Sequence, residues 1–338
     1  MEERKRDHIA MALGSRVARG LLDTRFVYEP LWGIHPQSWD SRRIAFMGKQ
    51  MRAPLWISSM TGGTEGAAQI NRRLAKVAAE FGLGMGLGSC RILLAEPMRV
   101  GDFEVRDWLG EQLPLAVNFG IAQVEQWAWT KDWKQLYEIV EWLRADGVVV
   151  HINPLQEWFQ REGDRLRHPP VDTIERMVRA LDLPIVVKEV GQGMGPRSLR
   201  KLLRMPLEAI EFGAAGGTNF SKLEYRRRQV QQKPQESFIY VGHDAYQMAE
   251  WVNAMVREHP NEVRTRWVIA SGGLTDSLDC YYFLEKLEMP VLCGLASALL
   301  PYALEGEEVL AAFVRDLLEG IALASRFLRI NPDFRAYG

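Results

Sequence analysis

From Pro54 onward the chain repeats one pattern: a short aliphatic or β-branched run ending in Gly, Ser, Thr or Asn, followed by a segment of helical period. Eight such runs are predicted as strands, at Leu55–Met60, Leu83–Gly88, Leu115–Phe119, Val148–Ile152, Ile185–Val190, Ala209–Phe212, Trp267–Ala270 and Val291–Cys293. Between them, apolar residues recur on single helical faces. Ile70, Leu74, Val77, Ala78 and Phe81 form one stripe, Trp133, Leu136, Val140 and Leu143 another, and Ile174, Met177, Val178 and Leu181 a third. Strand and helix alternating in this way predict an α/β chain closed as a (β/α)8 TIM barrel, with an open doubly wound sheet as the alternative. The barrel is expected over 54–338, with 1–53 as an N-terminal extension. The longest interruption, from Gly213 to about Tyr240, is expected to be an irregular surface loop whose Arg226-Arg227-Arg228 forms a solvated face; a lid over the barrel mouth is the sharper reading.

Composition narrows the function classes. Apolar residues make up 47% and charged residues 25% of the 338, which suits a globular enzyme with a large core. A net charge of −1 gives no support for a nucleic-acid surface, although a local basic pocket could still bind phosphate. Cys90, Cys280 and Cys293 form no CxxC pair, so neither a disulfide framework nor a cysteine zinc site is indicated. The charged N-terminus lacks the apolar core of a signal peptide, and no run approaches a membrane span. A cytoplasmic protein without membrane association is expected.

Barrel enzymes place their chemistry at the C-terminal ends of their strands. Gly216-Gly217-Thr218, Ser271-Gly272-Gly273 and Gly294-Leu295-Ala296 follow the last three strands, where backbone N–H groups approach a phosphate closely. Each pair alone is explained by a tight turn; three together favour a phosphorylated ligand. Lys188 ends the apolar run Ile185-Val186-Val187. There it either pairs with Glu189 or another carboxylate, or sets its ammonium against a developing anion such as the N1–C2=O edge of a reduced flavin. Strand alternation sends Glu189 to the opposite face and favours the second reading.

The most informative stretch is His151-Ile152-Asn153-Pro154-Leu155-Gln156-Glu157, which follows a β-branched run and delivers four polar side chains to a loop mouth. Ser89 and Arg91, taken alone, are equally a helix cap and an ion pair. Together with Arg4, Lys5, His151 and Asn153 they form a donor set suited to a diphosphate. Glu157 would then help to hold Mg²⁺ against it, its alternative being a surface acid at a helix N-terminus. His35, His168, His243 and His259 show no metal-ligand spacing.

With these motifs the chain resembles the type 2 isopentenyl-diphosphate isomerases. The likeness runs from Arg4-Lys5-x-x-His8 through Met60-Thr61-Gly62-Gly63, Gly88-Ser89-Cys90-Arg91 and the His151-to-Glu157 stretch to Lys188-Glu189-Val190-Gly191 and the three glycine turns. The resemblance implies a homo-oligomer, a tetramer or larger, that interconverts isopentenyl and dimethylallyl diphosphate with reduced FMN, Mg²⁺ and NADPH as reductant. It implies that Met60, Thr61, Ser89, Asn118, Lys188, Thr218, Gly272, Gly273, Leu295 and Ala296 hold FMN. Arg4, Lys5, Ser89, Arg91, His151, Asn153 and Gln156 would face the prenyl diphosphate, the first two reaching it from the extension, and Glu157 the metal. Gln156 and Lys188 would be catalytic. Cys90, Phe220 and Ala214-Ala215 depart from the family's usual Gln, Trp and Gly-Arg. The competing expectations are an FMN barrel oxidoreductase of the 2-hydroxy acid dehydrogenase type, for which Gly213–Asn219 supplies no histidine base, and a catalytically silent flavin-binding scaffold.

Overall fold

Eight parallel strands close on themselves in a computed structural model that describes residues 2–39, 42–59, 62, 65–228 and 233–336. They are β1 Leu55–Ile57, β2 Gly84–Ser89, β3 Leu115–Gly120, β4 Gly147–Ile152, β5 Ile185–Glu189, β6 Ala209–Glu211, β7 Trp267–Ser271 and β8 Val291–Leu295. Each pairs with its successor in sequence, and β8 closes the ring on β1 through Cys293↔Leu55, Gly294↔Trp56 and Leu295↔Ile57. All eight predicted strands are present as a (β/α)8 barrel, their ends displaced by up to three residues. Every residue of β3 and β5 is buried, because helices cover the outer face and side chains fill the inner one. That is why these strands read as continuous apolar runs.

The interior is closed at one end by a hairpin of Ile44–Phe46 and Lys49–Met51. Its turn, Met47-Gly48, has positive φ at both residues (49° and 73°), the backbone a tight two-residue hairpin connection requires. Phe46 is fully buried against Trp56 and Trp267, with ring centroids 5.3 and 6.1 Å apart. The Met47 backbone N–H donates to Glu208 Oε1 at 2.8 Å, just ahead of β6. The hairpin therefore plugs the N-terminal ends of the strands and leaves their C-terminal ends as the mouth.

The rest of the extension lies outside the barrel. Helix Glu2–Met11 is exposed along its described side chains. Phe26–Tyr28 pairs antiparallel with Leu328–Ile330, and Arg25 bonds Asp23, Asp279 and Tyr246, tying the arm to the C-terminal side. The last helix, Glu307–Phe327, buries Leu310, Val314, Leu317 and Leu318 and packs against Glu65–Phe81 and Ser277–Lys286, which completes the outer ring. Among the described residues no helix is long and apolar enough to cross a membrane.

The segment after β6 corrects the sequence expectation of an irregular loop. It carries helices Phe220–Arg227 and Lys233–Glu236 and a 3-10 turn at Ser237–Tyr240. The first is polar almost all round and has no apolar stripe to announce it. Asn219 caps its start, accepting the Lys222 N–H at 2.8 Å. Nor are the three arginines simply a solvated face. The Arg228 guanidinium donates to the carbonyls of Phe159 (2.7 Å) and Trp158 (2.6 Å), which belong to the last turn of helix Pro154–Phe159. Phe159, Tyr225 and Ile239 form a small buried cluster at the same junction.

Phe46→Ala is expected to lower unfolding free energy by about 3–5 kcal/mol, the cost of an unfilled aromatic cavity, whereas Phe46→Leu retains most of the volume and costs less. Denaturant titration of the two variants checks this; equal, small losses would mean that the hairpin is not part of the barrel's core.

Candidate active site

Residues paired in register on adjacent parallel strands send their side chains to the same face. The register runs Gly120↔His151, His151↔Lys188 and Lys188↔Glu211 across β3 to β6. This row stands at the strand ends. Lys188 and Glu211 line a cleft together with Ser58, Ser59, Gly217, Thr218, Ser271, Gly272, Gly273 and Ala296.

Lys188 is buried and its Nζ stands 3.4 Å from Glu211 Oε1, an ion pair with side-chain exposures of 9% and 1%. The partner is thus Glu211 on the next strand rather than Glu189. Glu189 turns instead to its own loop, where Oε2 accepts the N–H groups of Gln192 (2.6 Å) and Gly193 (2.9 Å). Burial pushes its carboxyl up to about 7, against the opposing pull of those N–H donors.

His151 faces Asn118 across β3 and β4, with Nδ1 2.8 Å from Oδ1. An amide oxygen only accepts, so Nδ1 carries the proton and Nε2 is left as an acceptor. Burial lowers the imidazole pKa to about 3, with Lys188 and Arg91 adding repulsion. His151 is therefore neutral across the physiological range and contributes a dipole rather than a charge.

The other polar residues of the central stretch sit on or beside helix Pro154–Phe159. Asn153, at its N-terminal boundary, is buried; its amide donates to Gln156 Oε1 (3.2 Å) and Glu157 Oε1 (3.1 Å), while its own Oδ1 has no partner among the described residues. Glu157 is 4% exposed, not the surface acid allowed as an alternative, and its Oε2 accepts the Asp164 N–H at 2.8 Å. It has no cationic partner among the described residues. Ser89 caps the 3-10 helix Cys90–Leu94 by accepting the Arg91 N–H, and Arg91 pairs with Asp164 at 3.1 Å, so the cap and the ion pair are both present. Cys90 is buried and its thiol is pushed up to about 12 by that burial, which leaves it unreactive.

On the late-strand side, Gly216, Gly272 and Gly273 have φ of 118°, 97° and 82°. A Cβ at Gly272 would lie 2.2 Å from the Ala214 carbonyl oxygen, so glycine is required there for backbone contact as well as dihedral. Thr218 is exposed at the rim, Leu295 is buried at the end of β8, and Ala296 borders the cleft. Met60 and Thr61 lie outside the described residues. Arg4 and Lys5 are exposed on the N-terminal helix, and no hydrogen bond or ion pair among the described residues brings them to the mouth. Sequence reasoning missed Glu211 and Ser58. The signal for Glu211 was an acid inside a strand otherwise apolar; Ser58 immediately precedes Ser59 at the end of the first strand. The hydroxyls of Ser58 and Ser59 and both Glu211 oxygens are buried without hydrogen-bond partners among the described residues.

His151 and Glu189 act on stability in opposite senses. His151, held below its usual 6.5, contributes stability that is present above about 6.5 and is lost as pH falls toward 3. Glu189, raised from 4.5 to about 7, contributes stability that is full below 4.5 and is lost as pH rises through 7. Glu189→Gln keeps the acceptor and removes the charge. Relative to wild type it is expected to be more stable at pH 8 than at pH 5, by on the order of 1–3 kcal/mol in chemical denaturation; an equal offset at both pH values would show that Glu189 does not titrate in that window.

No family model matches the chain. Among solved structures, the flavin-binding domain of baker's yeast flavocytochrome b2 superposes with TM-score 0.57 at 14% identity, covering 89% of this chain and 72% of that one. A lactate oxidase from Pediococcus acidilactici superposes with TM-score 0.55 at 13% identity, covering 92% and 84%. At such identities the likeness is one of fold. Sequence relatives are more specific. A protein of Rickettsia felis named isopentenyl-diphosphate delta-isomerase is 34% identical over 95% of this chain and 91% of its own length. One of Rickettsia typhi with the same name is 33% identical over 95% and 92%. By that similarity over nearly its whole length, the chain belongs to the isopentenyl-diphosphate delta-isomerase family.

Proposed function

We propose that the chain interconverts isopentenyl and dimethylallyl diphosphate as a type 2 enzyme, with reduced FMN and Mg²⁺ at the barrel mouth and NADPH as the reductant of FMN. The observation that carries the reading is the convergence, at one end of one barrel, of a glycine cradle, a buried lysine and a separate polar group of Arg91, His151 and Asn153 beside the buried carboxylate of Glu157.

FMN fits the late-strand side. The turns at Gly216, Gly272 and Gly273 suit close backbone approach to a phosphate, and the unpartnered hydroxyls of Ser58 and Ser59 and the Lys188 ammonium suit the polar edge of a flavin ring. Ser89, Asn118, Thr218, Leu295 and Ala296 complete the proposed cofactor contacts. Mg²⁺ fits Glu157, because a buried carboxylate with amide donors and no cation favours an incoming one. A single carboxylate suffices when the remaining ligands are phosphate oxygens and waters.

The reaction moves one proton onto the terminal alkene carbon and another off C2, through a tertiary cation, with no net electron transfer. Reduced FMN, when bound, supplies an electron-rich ring that stabilises the cation and exchanges the proton. Arg91, Ser89 and Asn153 bind the diphosphate from one side, Arg4 and Lys5 from the extension. His151 enters neutral, and an arriving diphosphate favours its protonation by the same Coulomb rule through which Lys188 and Arg91 oppose it. Lys188 would supply positive charge to a flavin bound in the cleft it lines. Gln156, held by Asn153, positions the hydrocarbon end or relays a proton.

The same reading makes the enzyme a cytoplasmic homo-oligomer, a tetramer or larger. Leu21, Leu31, Trp32 and Ile34 of the extension are between 77% and 88% exposed, an apolar surface suited to burial between subunits.

The direct test is an anaerobic assay of isopentenyl diphosphate with reduced holoenzyme. Isomer should form only with reduced FMN and only with Mg²⁺; bound FMN without isomer would overturn the reading. Gln156→Ala, with FMN still bound, should lower kcat about 10²-fold, and unchanged turnover would remove Gln156 from the chemistry. Glu157→Gln should raise the Mg²⁺ concentration giving half-maximal rate by about tenfold or more, read from a metal titration at saturating substrate.

A further inference from the structure

Glu211 is the one group of the mouth row without a role in the chemistry above. It sits at the end of β6, in register with Lys188, 1% exposed. A buried carboxylate is stable in such a place when it is paired and hydrogen-bonded. Here its ion pair with Lys188 at 3.4 Å is its described cationic contact, and among the described residues neither oxygen accepts a hydrogen bond. The pair spans two neighbouring strands of a closed barrel, so neither backbone is free to withdraw. The cleft wall carries both charges, and any ligand against Lys188 also lies in the field of Glu211.

We infer that Glu211 is the counter-ion of Lys188 and sets how much of the lysine's positive charge a bound flavin experiences, a role that rests on the FMN reading of this cleft. It is a positioning residue, acting through Lys188 rather than on the reacting carbons. Reduction of FMN to the anionic form adds two electrons and one proton and places negative charge on the N1–C2=O edge. A lysine alone beside that edge favours the reduced state, and a carboxylate 3.4 Å from the ammonium offsets part of that effect. The pair would thus keep the ring's charge in check while leaving the lysine as a donor.

Glu211→Gln removes the charge and nearly preserves the shape. In the E211Q holoenzyme the two-electron midpoint potential should rise by about 30 mV, a tenfold change in the reduction equilibrium. The affinity of the oxidised flavin for sulfite, which adds as an anion, should increase by about tenfold as well. Lys188→Met should move both readouts the opposite way. A merely structural ion pair predicts lower thermal stability in E211Q with potential and sulfite affinity unchanged, and that result overturns the inference. Should E211Q give no folded holoenzyme, E211D, which withdraws the carboxylate by one methylene, decides it: the same direction with a smaller size supports the inference, and no shift overturns it. A wild-type protein that takes up no FMN overturns the reading of the cleft and this inference with it. A wild type that binds FMN beside an E211Q holoenzyme of unaltered potential overturns the inference alone.

Discussion

Parallel pairing from β3 to β6 decides where the polar groups of the mouth stand. Because Gly120, His151, Lys188 and Glu211 are in register, an amide-bound imidazole, an ammonium and a carboxylate form one row across adjacent strands. A slip of one residue in any of these pairings would turn that strand's polar residue toward the helices, where it would have no partner. Closure of the barrel through β8 and β1 makes such a slip costly, since every strand has a neighbour on both sides. The chemistry of the row therefore inherits its geometry from backbone hydrogen bonds, not from side-chain contacts alone.

The two ends of the barrel have separate tasks. At one, Phe46, Met47 and Met51 fill the interior and pack on Trp56, an apolar arrangement with little polar content. At the other, glycine turns and unpartnered hydroxyls leave hydrogen-bonding capacity unspent. Such capacity inside a fold is costly unless a ligand uses it, which is why it marks a site. The segment after β6 joins the two sides of that site: it begins beside the glycine turn and reaches, through Arg228, the carbonyls of the helix that bears Gln156 and Glu157.

Much of this was legible in the sequence, for physical reasons that can be named. Val148-Val149-Val150 and Ile185-Val186-Val187 announce strands buried on both faces, and Lys188 stands out because it follows such a run. Strand alternation correctly separated it from Glu189. Glu211 was less visible: its pairing depends on the register of β5 against β6, and no local pattern states a register. The helix Phe220–Arg227 was hidden because it is polar and held by a cap and by packing on Phe159, both tertiary matters. Ser89 and Arg91 showed how one residue serves two descriptions at once, since a helix cap and an ion pair leave each of them at the rim of the same mouth.

The plug at the barrel floor precedes every wall in chain order. Residues 44–51 leave the ribosome before β1, so the nonpolar surface of Phe46 and Met51 is already made when the first inward side chain, Trp56, follows. From β3 onward each strand adds one more residue to a floor that is waiting for it: Ala116, Val149, Val186, Ala209, then Ile269 and Leu292. A parallel barrel is a fold of distant contacts, slow to search for its neighbours. A floor laid first gives vectorial synthesis a template, and the last seam to close, β8 on β1, is the one that needs the whole chain.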